Sequence, residues 1–597
     1  MKLKNISILL FSLFVTGVFA ADLQVTEGET YFSVTQKSDT EFTFINSVSE
    51  IQTKVIKTEK EDFLDLIIPS YVSNSEDGTA ELPVLQKLVR VPSGSEIVVK
   101  ILNIEEEIIN LSDYGYDLKV FPNQPSVSKS ANLDELPFYY NEDYYSINKF
   151  TGTNLVFTEL LGKMRGQQLA RLSISPISYN PVTSQIKIIT KAEVKVIFKN
   201  ANIEEDAANR IKYYSHEFES LFKSFVNYTD IAEKDVITTY PVKYVIISDP
   251  MFQTALQPLV DWKRKKGFLV VEEYTNNPVV GNTTTSIHTF IKDLYDNPTD
   301  GVAPTYLLII GDDAQVPSFN AGQHVSDMYY CEFDGNGDFY PEMYYGRLSA
   351  TTPLQVEIQV NKTLTHEQYT FTDPSFLDDV VLVAGVDGSF APTHGNGQIN
   401  YGTDYYFNTA HGLNVHTYLY GSGSPITSDM STASSAIISD ISNGTSFANY
   451  TAHCGSSGWS DPAFENTDVA GLQNNGKYGL LIGNCCQSNK FDVNVCFGEK
   501  LLRENGKGAV GYIGGSNNTY WDEDFWWGVG SCASSSISAN PNYTGTDLGV
   551  YDAWMHENGE AQADWFFTAG QMIHSGNLAV TQAGGSEQYY WEIYHLM

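Results

Sequence analysis

Cysteine is scarce in this chain: six in 597 residues, at 331, 454, 485, 486, 496 and 532. That excludes a disulfide-dense scaffold, although one or two bridges are compatible with an exported chain of this size. Positive charge is scarce too, with 36 Lys and Arg against 72 Asp and Glu, a formal net charge of −36. A surface this acidic repels nucleic acid and anionic membrane, so neither is expected as a partner. Beyond the N-terminus no apolar run is long enough to span a bilayer, and no transmembrane segment is expected. Internal repeats and low-complexity tracts are missing. Histidine is nearly absent from the first half, where His216 is the only one before His288.

What is present is organised in blocks. Hydrophobic residues make up 42% of the chain, enough for a sizeable core and more than one domain. Lys2 and Lys4 precede the apolar stretch from Ile6 to Phe19, and Ala20 and Ala21 follow with Val18 at the −3 position. Residues 1–20 therefore read as a secretory signal peptide, which places the product outside the cell. Residues 21–234 read as a β-rich domain: Glu96-Ile-Val-Val-Lys-Ile-Leu and Gln185-Ile-Lys-Ile-Ile-Thr are β-branched runs, and Tyr179-Asn-Pro181 is a turn. From 235 the pattern changes. Short apolar strands at Lys243, Phe268, Thr305, Asp379, Ser446 and Tyr478 alternate with helical spacing such as Leu256, Leu259 and Trp262. That alternation predicts an α/β class with a mostly parallel sheet covered on both faces. The region divides into an N-terminal part, 235–375, and a C-terminal part, 376–597.

In an open parallel sheet, ligands bind beyond the carboxyl ends of the strands. Three strands here end on reactive residues: Gly385-Val-Asp387, Thr451-Ala-His453 and Gly483-Asn-Cys485-Cys486. An acid, an imidazole and a thiol at neighbouring strand ends can supply an orienting group, a base and a nucleophile. A free thiol has a pKa of about 8.5, which an adjacent imidazole can lower. Two other readings stay open on these residues alone. A Cys-Cys pair at a strand end can be plain packing. His453, Cys454, Cys485 and Cys486 can be zinc ligands, although adjacent ligands suit tetrahedral zinc poorly and no C-x₂-C spacing occurs.

Tyr450-Thr-Ala-His453, Trp459-Ser-Asp-Pro462, Ile482-Gly-Asn-Cys-Cys486, Cys496-Phe-Gly-Glu499, Tyr520-Trp-Asp-Glu-Asp524 and Tyr589-Tyr-Trp-Glu-Ile-Tyr-His595 resemble the gingipain family of cysteine peptidases, nearest its lysine-specific branch. The resemblance covers roughly 235 to 597, and the preceding region resembles the family's inhibitory propeptide. It implies a caspase-like α/β/α catalytic region and a secreted, extracellular cysteine endopeptidase made as a zymogen. The family's catalytic His and Cys lie 33 residues apart, which matches His453 with Cys486 and not Cys485. By strand-end context, Asp387 corresponds to the acidic third member. The backbone N–H groups of Cys454 and Cys486 would form the oxyanion hole. Asp524 matches the lysine branch's specificity acid, Thr451 its hydroxyl partner, and Trp521 a wall of the pocket. Asn400 stands where the arginine branch carries its acid.

The resemblance implies as partners protein and peptide substrates with lysine at the cleavage site, and the chain's own propeptide as inhibitor. Lys234-Asp235 falls at the family's propeptide junction, where a lysine suits self-maturation. Asp334, Asn336, Asp338, the Tyr340 carbonyl and Glu342 resemble a family loop that holds a structural calcium ion; an Asx-Gly turn is the plainer alternative. No cofactor is expected for catalysis itself. One position departs from the family: Cys454 replaces a glycine. A side chain there is costly if the backbone needs φ > 0, and its thiol could oxidise with the nucleophile. A catalytically impaired secreted binding protein on the same fold is therefore the alternative. Family members usually continue past the catalytic region, which leaves cell-surface attachment through a further C-terminal part open.

Overall fold

The computed structural model describes the chain apart from residues 1–17, 20–21, 74, 230–240, 336, 422–423, 425–428, 548 and 556–564. Lys234, Asp235 and Asn336 lie outside the described residues, as does most of the proposed signal segment. Val18–Phe19 is described, and pairs antiparallel with Glu50–Lys57.

The described residues up to about 200 form mainly antiparallel sheets, as their alternating β-branched runs predict; the short strand Lys119–Val120 pairs parallel with Asp62–Ile67. The longest pair joins Glu96–Asn110 to Gln185–Lys199. Inward residues such as Phe44, Ile186, Ile188, Val194 and Val196 build a core of their own.

From 243 onward the described residues form two larger, mostly parallel sheets. The first runs Leu269–Tyr274, Lys243–Ser248, Tyr306–Ile310, Tyr344–Leu348 in spatial order. The second runs Asn414–Tyr418, Asp379–Ala384, Phe447–Thr451, Leu480–Asn484, Gly511–Gly515 and Tyr594–Leu596; only the last strand is antiparallel. Side chains alternate faces along a strand. Val381, Val383, Ala448, Tyr450 and Leu481 accordingly enter one core, with Leu256 and Leu259 of the helix Gln253–Lys265 and Ile437 and Ile441 of the helix Met430–Asn443. Val380, Leu382, Phe447 and Ile482 enter the opposite core, with Phe525, Trp526 and Trp527 of the helix Trp521–Val529 and Met572 and Ile573 of the helix Ala569–Ala583. The second sheet is thus the middle layer of an α/β/α sandwich. Ile246, Ile310 and Leu348 of the first sheet pack into the core on the former side, which joins the two sheets. No helix among the described residues is long and apolar enough to cross a membrane.

Candidate active site

The register of the second sheet explains why reactive residues meet. Ala384 pairs with Thr451, and Thr451 with Asn484. Three adjacent parallel strands therefore end level with one another. Asp387, His453 and Cys486 each lie two or three residues beyond those ends. The His453 Nε2 stands 3.1 Å from Asp387 Oδ2. The other Asp387 oxygen accepts from the amides of Ser389 at 2.8 Å and Phe390 at 2.7 Å. Burial would push this carboxyl up, but the bonds from His453, Phe390 and Ser389 outweigh it and hold its pKa below the ordinary value. Asp387 is thus a fixed anion beside the imidazole. The ring of His453 also meets Trp521 edge-on at 5.6 Å.

Cys486 is buried, and its Sγ accepts from the Thr519 amide at 3.4 Å. Burial pushes the thiol up; the Thr519 amide and the Lys129 ammonium oppose this only in part. Cys485 faces the core and forms a disulfide with Cys454. The concern that Cys454 would oxidise with the nucleophile is corrected by this pairing. The parallel ladder stops at Thr451 and Asn484, so beyond it the disulfide ties the residue after the histidine to the residue before Cys486. It also closes the zinc reading, since two of the four supposed ligands are bonded to each other. Among the described residues no group of three or more His, Cys, Asp or Glu is placed to hold a metal ion. The backbone objection to Cys454 falls as well. Cys454 is a strand residue and is not among those with positive φ. It pairs with Trp459, while the flanking His453 carbonyl accepts from the Ser460 amide at 3.0 Å. In an antiparallel ladder that leaves Cys454 in a non-hydrogen-bonded pair, with its N–H directed away from the hairpin.

A residue that sequence reasoning missed occupies the site. Lys129, from the β-rich region, lies in it at the start of a turn whose Ala131 amide donates to the Ser128 carbonyl at 2.9 Å. The Lys129 amide donates to the Thr519 carbonyl at 2.8 Å, the Trp521 amide donates to the Val127 carbonyl at 3.0 Å, and Ser128 bridges antiparallel to Tyr520. Residues 127–129 thus meet 519–521 through one isolated antiparallel bridge, a short contact read by backbone hydrogen bonds. The Lys129 Nζ is 2.7 Å from Asp524 Oδ2 and donates to Thr451 Oγ1 at 3.1 Å and the Asn484 carbonyl at 2.7 Å. It lies 4.6 Å from the centre of the Trp521 ring. The structure therefore brings Asp524, Thr451 and Trp521 together around one ammonium. The Lys129 carbonyl accepts from His453 Nδ1 at 2.6 Å. Nothing in the sequence marks this lysine: it sits in a polar loop, one of 36 basic residues. Asn400 is elsewhere, donating to the Ala539 carbonyl at 2.7 Å.

The 334–342 loop also meets the β-rich region. Lys163 Nζ pairs with Asp334 at 2.6 Å, and the Lys163 amide donates to Asp338 Oδ2 at 2.6 Å. Tyr340 donates its amide to Asp338 Oδ1 at 2.9 Å. Glu342 is buried; Oε2 accepts from the Phe333 amide at 3.1 Å, while Oε1 has no hydrogen-bond partner. With Lys163 engaging Asp334 and Asp338, the three carboxylates are not gathered as a metal-holding group in this form, and the orphaned Glu342 Oε1 is the donor that suits an oxygen-preferring cation.

Comparison with known proteins agrees with this geometry. The model of peptidase family C25 matches residues 237–597, and that of the C25 propeptide matches residues 29–236. Lys-gingipain W83 of Porphyromonas gingivalis is 36% identical over 614 residues, covering 100% of this chain and 34% of the relative. Gingipain R2 of the same organism is 27% identical, covering 75% of this chain and 60% of its own length. A solved protease structure is 37% identical with a TM-score of 0.55, covering 60% of this chain and 77% of that one. The chain thus spans about a third of the length of the Lys-gingipain it matches. Its C-terminal α/β/α region has the caspase-like fold.

Proposed function

The chain belongs to peptidase family C25, and from that premise we propose that it is the zymogen of a secreted cysteine endopeptidase cleaving after lysine. In the proposed mechanism Cys486 attacks the scissile carbonyl, and the thioester intermediate that forms is later hydrolysed by water. His453 takes the thiol proton and returns it to the leaving amine. Asp387 orients the imidazole and stabilises its charged form. The N–H groups of Cys454 and Cys486 receive the oxyanion. Thr451, Asn484 and Asp524 read the substrate ammonium, with Trp521 as the wall.

The observation that carries this reading is Lys129. A lysine of the preceding region sits where a substrate lysine would, paired with buried Asp524. An ammonium has three donors, and the pocket offers three oxygens: Asp524 Oδ2, Thr451 Oγ1 and the Asn484 carbonyl. The same contact supports the region's role as an inhibitor. The Lys129 carbonyl is turned to His453 Nδ1 and takes no bond from the N–H of Cys454 or Cys486. It thereby blocks the ring nitrogen that would exchange a proton with Cys486. Residues up to about 234 would act as the propeptide, with Lys234-Asp235 as the junction.

The processed protein should hydrolyse a lysyl peptide, and Cys486→Ala should abolish this. No cleavage after thiol reduction and removal of the propeptide would favour the impaired binding protein. A structural calcium ion is also part of the proposal. Once Lys163 departs with the propeptide, Asp334, Asn336, Asp338, the Tyr340 carbonyl and Glu342 would hold it. The processed form should then melt at lower temperature in a calcium chelator, and an unchanged melt would count against the ion.

A further inference from the structure

Asp524 has two oxygens, and only one faces the bound lysine. The other, Oδ1, accepts from the hydroxyl of Tyr594 at 2.5 Å and that of Tyr590 at 3.0 Å. The two tyrosines are four apart, on the helix Glu587–Ile593 and the strand after it, with stacked rings 5.4 Å apart. Both are wholly buried. Burial, followed by the nearby Asp524 charge, pushes both phenols well above their ordinary value, so they stay neutral donors.

The direction of these bonds is set from behind. Asn484 accepts on Oδ1 from Gln398 Nε2 and Asn449 Nδ2, each at 2.9 Å, which fixes its amide. Its Nδ2 then donates to the Tyr594 oxygen at 3.1 Å. Tyr594 has one proton, and with its oxygen already an acceptor that proton goes to Asp524. At Tyr590 the oxygen accepts from the Tyr520 amide at 2.9 Å, and its proton faces two acceptors, the Asp524 carboxylate at 3.0 Å and the Tyr520 carbonyl at 3.3 Å, of which the charged oxygen is the nearer and stronger.

We infer that Tyr590 and Tyr594 are specificity-determining residues, which saturate one oxygen of Asp524 and so present a single carboxylate oxygen to the substrate cation. This inference rests on the lysine reading above and extends it. An ammonium needs one oxygen from each of three neighbours. A guanidinium is a planar fork that pairs with both oxygens of a carboxylate at once. With Oδ1 taken, that fork loses the second carboxylate oxygen its bidentate geometry requires, and a buried donor pointed at an already saturated acceptor is costly. Neither tyrosine touches the substrate lysine; both act through Asp524.

The test compares kcat and KM on matched peptides ending in lysine or arginine, for the wild type, Tyr590→Phe, Tyr594→Phe and the double variant. The wild type should prefer lysine. Each lost hydroxyl frees part of Oδ1, so the arginyl-to-lysyl ratio of kcat/KM should rise about tenfold in Tyr594→Phe and further in the double variant. The change should fall mainly in KM, whereas a loss of general packing would lower kcat for both substrates alike. A ratio within twofold of wild type would overturn the inference. If the wild type itself does not prefer lysine, the earlier reading fails instead, and the two failures are distinct. The full-length precursor gives a second measurement for variants that mature poorly. Lys129→Arg should open the wild-type precursor to a small alkylating peptide, and adding Tyr594→Phe should close it again. No such rescue would also count against the inference.

Discussion

Two lysines of the β-rich region meet acids of the catalytic region in very different surroundings. Lys129 and Asp524 are 0% and 1% exposed, whereas Lys163 and Asp334 are 46% and 29% exposed. Their separations are nearly equal, 2.7 Å and 2.6 Å. Distance therefore does not rank them; desolvation does. An exposed pair is worth about 0–1 kcal/mol, because water and salt screen it. Breaking a buried pair by removing one partner costs about 3–5 kcal/mol, because a charge is left buried alone. On the proposed reading the first contact holds the zymogen shut, and the second only helps to align it.

That difference can be broken experimentally. The rate at which a lysine-like alkylating peptide labels Cys486 in the full chain reports how often the pocket opens. Lys129→Ala should raise that rate by about hundredfold or more, since about 1.4 kcal/mol is tenfold. A rise under tenfold would mean the latch is elsewhere. Next in size is the covalent tie beside the pocket, which has no counterpart at the 334–342 loop. Alkylation of the unfolded, unreduced chain should find Cys331, Cys486, Cys496 and Cys532 free. The bridge closes a loop with a sequence separation of 31, so the Cys454→Ala/Cys485→Ala double variant should lose about 3 kcal/mol of stability in denaturant unfolding.

A smaller, pH-dependent effect sharpens the comparison. Glu523 is buried where the two regions meet, accepting from the hydroxyls of Ser126 and Ser586. Burial, then the neighbouring Asp522, raises its pKa from 4.5 to about 7. If undocking of Ser126 and its neighbours returns Glu523 to water, closure takes up a proton. Its contribution is complete below pH 4.5 and is lost as pH rises through about 7. Labelling should therefore accelerate between pH 5 and 8 beyond the thiol's own titration, and Glu523→Gln should remove the excess. The smallest effect belongs to Lys163→Ala. It should change labelling less than about fivefold, and 0.5 M salt should erase even that while leaving the Lys129 effect largely intact.

The sequence made some of this legible and hid the rest for physical reasons. The strands ending at Ala384, Thr451 and Asn484 are local apolar runs, so their residues declare them. Parallel pairing then makes it natural that Asp387, His453 and Cys486 converge. Cys454 was misjudged because a side chain's cost depends on φ and on its bonding partner, and both are set by the hairpin with Trp459 and by Cys485. Lys129 was invisible because a docking lysine and a solvated one look alike until a distant surface offers a pocket.

By itself, the sequence determined which chemistry this protein carries: a thiol, an imidazole and an acid at the ends of α/β strands, and a β-rich region before them. Periodicity and strand-end position are local properties, so they survive being read along a line. Only the tertiary structure decided which cysteine pairs with which, which lysine fills the pocket, and which oxygen of Asp524 is left for a ligand. Those depend on desolvation and hydrogen-bond direction between residues tens or hundreds of positions apart, and neither exists before the chain is folded.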